Sequence, residues 1–145
     1  MPKKSKTTRQ SEKTYDLKHV GWDQMELEEV NPLFQRQFVV GKNVMLARIL
    51  LKKGCIVPMH THHNEQLSFV TAGALKFWID GKEIVVRAGE VLAIPPHMPH
   101  KAEALQDTIS LDIFSPPRAD WINQTDKYLR GPEAKSTKAP QVVGR

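Results

Sequence analysis

Residues 54–66 read GCIVPMHTHHNEQ, and residues 89–100 read GEVLAIPPHMPH. Around these two stretches, from about residue 35 to residue 115, short apolar runs are separated by Gly, Pro and Asp-Gly, and no run has the period of a helix. This pattern predicts many short antiparallel strands in a sandwich or barrel. The predicted strands are residues 37–40, 44–51, 66–71, 74–79, 82–87, 91–94 and 108–114.

Histidines recur within the two quoted stretches. His60 and His62 are two residues apart, so in an extended strand their side chains project to the same face. Gln66 keeps this parity, and His100 can approach from a facing strand. Neutral imidazoles are common protein ligands of transition metals. These residues predict a metal site; the alternative is a set of exposed loop histidines.

Both stretches resemble the two sequence motifs of the cupin family. The resemblance covers residues 35–118 and implies an all-β fold, the double-stranded β-helix or jelly-roll barrel, with one divalent transition metal (Mn, Fe, Co, Ni or Zn) in its mouth. Gln66 replaces the usual acidic ligand of the first motif, and strand parity turns Gln66 inward and Glu65 outward. His97 stands where the second motif has glycine, and its place after two prolines favours a turn residue. The implied metal ligands are His60, His62, Gln66 and His100.

The replacement of a carboxylate by an amide has a chemical consequence. Three neutral imidazoles and a neutral amide leave the charge of a divalent cation uncompensated. Such a centre attracts anionic substrates and stabilises negative charge that develops on oxygen. The ligand set therefore favours non-redox chemistry on a carboxylate or hydroxyl substrate.

The segment LDIFSPPR, residues 111–118, places Asp112 and Phe114 on one strand face. A carboxylate that faces a barrel interior requires a partner or a metal. Arg118 is a candidate either to pair with Asp112 or to bind a substrate carboxylate. A purely structural bridge between Asp112 and Arg118 is the alternative to a catalytic role.

This constellation resembles the KdgF-type pectin-degradation cupins, which open the ring of 4,5-unsaturated uronates to linear keto sugars. The resemblance implies that Asp112, Phe114 and Arg118 line the sugar pocket. In this interpretation Asp112 moves a proton, Arg118 holds the substrate carboxylate and Phe114 packs against the sugar face.

We therefore predict a metal-dependent enzyme of carbohydrate metabolism that acts on a small anionic sugar. Two alternatives stay open. One is another cupin reaction, such as lyase or iron-dependent dioxygenase chemistry, and the other is a non-catalytic barrel that binds a small molecule. The resemblance also suggests a homodimer, for which the exposed edges of a small sheet give a physical motive.

The chain's 145 residues suit one domain, and its formal net charge is +5. Residues 1–20 and residues 127–145 each carry +4, whereas residues 21–126 carry −3. We interpret the two ends as flexible tails around a barrel domain at 21–126, and we expect no nucleic-acid partner because the domain has no basic excess. The single cysteine, Cys55, excludes an internal disulfide. With neither a membrane-spanning stretch nor a secretory signal in the sequence, we expect a cytoplasmic protein.

Overall fold

The computed structural model describes residues 17–130, which form two β-sheets followed by two short helices. The strands are β1 (Glu28–Asn31), β2 (Phe34–Val40), β3 (Met45–Leu51), β4 (Ile56–His60), β5 (Glu65–Ala72), β6 (Ala74–Ile79), β7 (Lys82–Arg87), β8 (Val91–Ile94), β9 (His100–Ala104) and β10 (Thr108–Ser115). A 3-10 turn at Trp22–Gln24 precedes them, and helices α1 (Ala119–Ile122) and α2 (Lys127–Arg130) follow. Within residues 17–130, no helix is long and apolar enough to cross a membrane.

The two sheets pack face to face and enclose the core. Six strands run in the order β1-β2-β3-β10-β5-β8, and four run in the order β4-β9-β6-β7. All the strand pairs are antiparallel. In β3, Met45 and Ala47 are buried while Leu46 between them is exposed, because successive side chains of a strand point to opposite faces. The predicted all-β jelly-roll barrel is confirmed.

The strand predictions succeeded where the apolar pattern is strong. The three predicted strands from residue 74 to residue 94 match β6, β7 and β8. Asp80 and Gly81 join β6 to β7 with φ angles of 54° and 70°, as a tight hairpin turn of two left-handed residues requires. The predicted list omitted β1, β4 and β9, whose sequences EEVN, IVPMH and HKAEA are rich in acidic, proline and histidine residues.

The C-terminal boundary needs a correction. Lys127–Arg130 forms α2, in which Leu129 is buried, so the folded domain includes these four residues of the predicted tail. Between α1 and α2, Gln124 has a φ of 57°. The rest of the two predicted tails, except residues 17–20, lies outside the described residues.

A buried ion cluster ties α2 to the first two strands. The Arg36 guanidinium is fully buried and donates to Asp126 at 2.7 Å and to Glu28 at 2.9 Å. Arg130 donates to the other oxygen of Asp126 at 3.0 Å and also to Glu28. Partial burial raises the pKa of Glu28, but hydrogen bonds from the two arginines outweigh burial and hold this pKa below its usual value. The cluster therefore provides the buried arginine with the opposite charges it requires.

The outer face of the six-stranded sheet is apolar. Ile113 of β10 lies opposite Leu46 on one side and Leu67 on the other, and Phe69 lies opposite Val91. These five side chains are between 36% and 57% exposed. Contiguous exposed apolar surface of this kind marks an interaction site. Residues 1–16 are poor in apolar side chains, so we expect a second copy of the chain to cover this face.

We expect the predicted homodimer to form through this face. We expect Phe69→Lys to convert a dimer into a monomer, because a stable interface buries roughly 800 Å² per partner and excludes a lysine from its centre. Size-exclusion chromatography with light scattering measures the mass. Ile122→Lys is the matched control, since Ile122 is 46% exposed but lies on α1. A monomeric mass for the unmodified protein would contradict the prediction.

Candidate metal site and its cavity

Three histidines converge at one end of the barrel. His60 is the last residue of β4, His100 is the first residue of β9, and the two are register partners. His62 lies in the connection to β5, so the two ligands of the first motif do not share a strand as predicted. The ring centroid of His60 is 5.4 Å from that of His62 and 4.3 Å from that of His100. One ring nitrogen from each residue lies within 4.8 Å of the others, so the three are positioned to hold a metal ion.

Each of the three imidazoles is oriented by a backbone carbonyl. The Nδ1 atoms of His60, His62 and His100 lie 2.7, 3.0 and 2.8 Å from carbonyl oxygens two residues away. A carbonyl only accepts, so these contacts place the ring proton on Nδ1 and leave the Nε2 lone pair available. Metal-binding histidines are oriented by hydrogen bonds of this kind.

The electrostatic environment keeps the three rings neutral. Burial, assisted by the neighbouring His100, lowers the pKa of His60 to about 3. Burial, assisted by the charge of Arg118, lowers the pKa of His62 to about 4. The pKa of His100 is also lowered, chiefly by burial. Neutral imidazole is the form that binds a metal, so the site requires no deprotonation near pH 7.

Gln66 lies beside the histidines with the predicted orientation. It is buried, whereas Glu65 is exposed. The Gln66 amide oxygen lies 3.1 Å from Nε2 of His62, and its amide nitrogen donates to Ser68 at 2.9 Å. With the His62 proton on Nδ1, both atoms of the first contact are acceptors, and a cation bound to both would remove their repulsion. The donor set therefore fits a divalent transition metal.

His97 and His63 do not join the cluster of ring nitrogens. His97 is exposed at a φ of 68°, and its backbone N–H donates to the carbonyl of His62 at 2.8 Å. This is the turn geometry that its position after two prolines predicts. His63 is exposed.

Asp112 faces the interior beside Gln66. Its carboxylate accepts a hydrogen bond from Ser110 at 2.6 Å, and the Gln66 amide nitrogen lies 3.4 Å away. Burial raises the pKa of Asp112 to about 6, while the Ser110 hydrogen bond acts in the opposite direction. A buried carboxylate satisfied by neutral donors is able both to accept and to release a proton.

Arg118 pairs with a different acid from the one considered in the sequence. Its Nε and Nη2 atoms donate to Asp120 at 3.0 and 2.9 Å, and Nη2 also donates to the hydroxyl of Tyr128 at 2.7 Å. The alternative of a structural Asp112–Arg118 bridge is therefore wrong. Asp120 lies in the first turn of α1, two residues after Arg118, so the local chain path supplies the nearer partner. Nη1 takes no part in these bonds.

Aromatic side chains complete the walls of the cavity. Phe114 is buried, and its ring meets His62 at 5.9 Å and Trp121 at 5.1 Å, both nearly edge to face. The Arg118 guanidinium lies over both the Phe114 and Trp121 rings. Tyr128 stacks on His60 with the centroids 4.5 Å apart. The sequence offered no sign that Trp121 and Tyr128 reach the site, whereas the parity of Ser110 with Asp112 could have indicated that serine.

A two-sheet antiparallel barrel with three oriented histidines at one end defines a jelly-roll protein with a candidate metal centre. The Cupin domain family matches residues 47–115, a range that includes His60, His62, His100 and Asp112. The chain belongs to the cupin family.

Several known proteins are similar over most of the described chain. The pectin degradation protein KdgF of Dickeya dadantii (strain 3937) is 25% identical over 103 residues, which are 69% of this chain and 94% of that protein. The structure of KdgF from Halomonas sp. is 26% identical with a TM-score of 0.66, covering 69% of this chain and 94% of that one. An RmlC-like cupin from Shewanella frigidimarina is 31% identical with a TM-score of 0.67, covering 70% of this chain and 93% of that one. The chain is therefore a KdgF-like cupin.

Proposed function

We propose that this cupin is a metal-dependent enzyme that opens the ring of a 4,5-unsaturated uronate to the linear keto sugar. The observation that carries the proposal is the buried carboxylate of Asp112, which lines the same cavity as His60, His100 and Gln66. Similarity to proteins named for pectin degradation supports the substrate class.

The proposed ligands are His60, His62, Gln66 and His100. Their fit rests on the three free Nε2 lone pairs and the inward amide oxygen. A divalent cation bound there would polarise substrate oxygens and stabilise negative charge on them. Because the ligands are neutral, the charge of the cation would be available to an anionic substrate.

The proton transfers are assigned to Asp112. Its carboxylate takes the proton of the C1 hydroxyl, the bond between C1 and the ring oxygen breaks, and C1 becomes an aldehyde. The electron pair of that bond leaves an enolate across C4, C5 and the former ring oxygen. Asp112 then delivers the proton to C4, and C5 becomes a ketone, so the reaction is an isomerisation without a co-reactant.

Arg118 and Phe114 would orient the sugar. Nη1 of Arg118 is the part of the guanidinium not engaged by Asp120 and Tyr128, and both Arg118 and Phe114 line the cavity. A guanidinium favours carboxylate by charge and geometry. In this proposal Arg118 binds the uronate carboxylate and Phe114 packs against the ring.

The experiment is an ultraviolet assay on 4,5-unsaturated galacturonate, whose conjugated alkene absorbs and is lost on conversion to the ketone. We expect metal-loaded protein to remove the absorbance and chelator-treated protein to be slower by at least about 100-fold. Restoring the metal should restore the rate. A flat trace from protein that holds one metal per chain would overturn the proposed substrate.

A further inference from the structure

The cavity beneath the histidines is closed to a sugar. Its volume is about 40 Å³. A buried water requires roughly 10–15 Å³ on this measure, and small-molecule pockets typically measure about 300–1,000 Å³. The cavity in this conformation therefore accepts a few waters and excludes a uronate.

Two buried polar atoms nevertheless mark the cavity as a ligand site. Within residues 17–130, His100 Nε2 and Trp121 Nε1 are the buried side-chain polar atoms that lack a hydrogen-bond partner. Both residues line this cavity, one on the barrel and one on α1. Buried polar groups almost always have partners. His100 Nε2 accepts and would bind the proposed metal, whereas Trp121 Nε1 donates and can be satisfied by a polar ligand in the cavity.

Tyr128 of α2 occupies the surfaces that such a ligand would use. Its ring stacks on His60 at an interplanar angle of 25°, and its hydroxyl accepts a hydrogen bond from Arg118. A sugar acid would likewise place a ring against the face of the imidazole and a carboxylate oxygen against the guanidinium. While α2 is docked, Tyr128 therefore occupies the contacts with His60 and Arg118 that a ligand would make.

Apart from the hydrogen bond between Arg118 and Tyr128, the polar links that hold α2 lie outside the cavity. Arg130 and Arg36 both bond to Asp126, and Asn31 donates to the carbonyl of Leu129 at 3.1 Å. α2 has four residues, of which Leu129 is buried and Tyr128 is partly buried. A short segment held by a few polar links is the kind of element that opens locally without unfolding of the barrel.

We propose that α2 is a lid on the cavity, with Tyr128 as its closing residue, and that a ligand must displace Tyr128 to reach Arg118 and the ring face of His60. That the ligand is a sugar acid rests on the proposed function. Because the ligand binds only when α2 is open, its apparent affinity for the protein is its affinity for the open state multiplied by the fraction of molecules that are open. A substitution that loosens α2 should therefore strengthen ligand binding. If α2 were instead a fixed part of the binding site, the same substitution would weaken ligand binding.

The experiment compares Arg130→Gln with Lys127→Gln in the full-length, Zn²⁺-loaded protein. Both variants remove one positive charge from α2, but Lys127 is exposed and forms no ion pair among the described residues. Without ligand, we expect Arg130→Gln to speed amide hydrogen exchange in residues 119–130 by about fivefold, and Lys127→Gln to leave it unchanged. Tyr128→Phe, which loses the hydrogen bond from Arg118, should also speed this exchange.

Calorimetric titration with saturated D-galacturonate tests the consequence for binding. We expect Arg130→Gln to bind about fivefold more tightly than Lys127→Gln. Weaker or equal binding by Arg130→Gln, or exchange equal to that of Lys127→Gln, would overturn the lid. If exchange responds as expected but galacturonate binds to neither variant, the lid stands and the proposed substrate class fails.

Discussion

Replacing Asp112 by asparagine is expected to lower the rate of uronate ring opening by about 10²–10⁴-fold, the range for loss of a general acid–base group. Asparagine has nearly the same shape, and its amide oxygen can still accept the hydrogen bond from Ser110. It cannot take a proton from a hydroxyl or deliver one to carbon. The loss should therefore fall on turnover, with metal content and thermal stability close to those of the unmodified protein.

The matched control for this substitution is Asp107→Asn. Asp107 is exposed in the turn before β10, where it accepts a hydrogen bond from the Lys53 backbone N–H. The ultraviolet assay measures both variants beside the unmodified chain. An Asp112→Asn variant as active as Asp107→Asn would remove Asp112 from the mechanism. Substrate binding that survives in Asp112→Asn, with no turnover by any variant, would instead favour a non-catalytic binding barrel.

Loss of one histidine should abolish stable metal binding. We expect His62→Ala to weaken metal affinity by more than about 100-fold, since even substitutions behind the ligands reduce affinity by 10–100-fold. The bound metal per chain, measured after dialysis against a weak chelator, should fall from near one to near zero. His62 is only half-buried, so its truncation leaves the barrel core intact.

The neighbouring residue provides the control for the histidine substitution. His63→Ala removes an identical side chain one position along the chain, where it is exposed. We expect this variant to retain one metal per chain. Equal metal content in the two variants would show that the three-histidine cluster does not bind the metal. A loss of metal by both variants would point to the connection between β4 and β5 rather than to the His62 ring.

Much of the barrel could be predicted because strand formation is a local property. β6, β7 and β8 combine apolar side chains with Gly or Asp-Gly turns, and their bounds agree with the prediction. β1 carries a charged side chain whose partners come from elsewhere in the chain. Glu28 of β1, for example, is stabilised by Arg36 and Arg130, and no local pattern identifies that pairing.

Part of the candidate site could also be predicted from the sequence, and part could not. The two-residue alternation of a strand correctly predicted that Gln66 is buried and Glu65 is exposed, since this alternation depends only on the backbone. Strand alternation could not predict which acidic residue pairs with Arg118. It depends on the direction the chain takes after β10, which places Asp120 against the guanidinium and leaves Asp112 to Ser110.

The sequence by itself determined the alternation of the strands, the turns between them and the chemical identity of the residues at the candidate metal site. The tertiary structure decided which side chains meet. It brought His100 to His60 across 40 residues and stacked Tyr128 on the same ring from a segment that looked like a tail. The physical reason is that strand periodicity arises from neighbouring residues, whereas the closing of a cavity depends on long-range packing of sheets and helices.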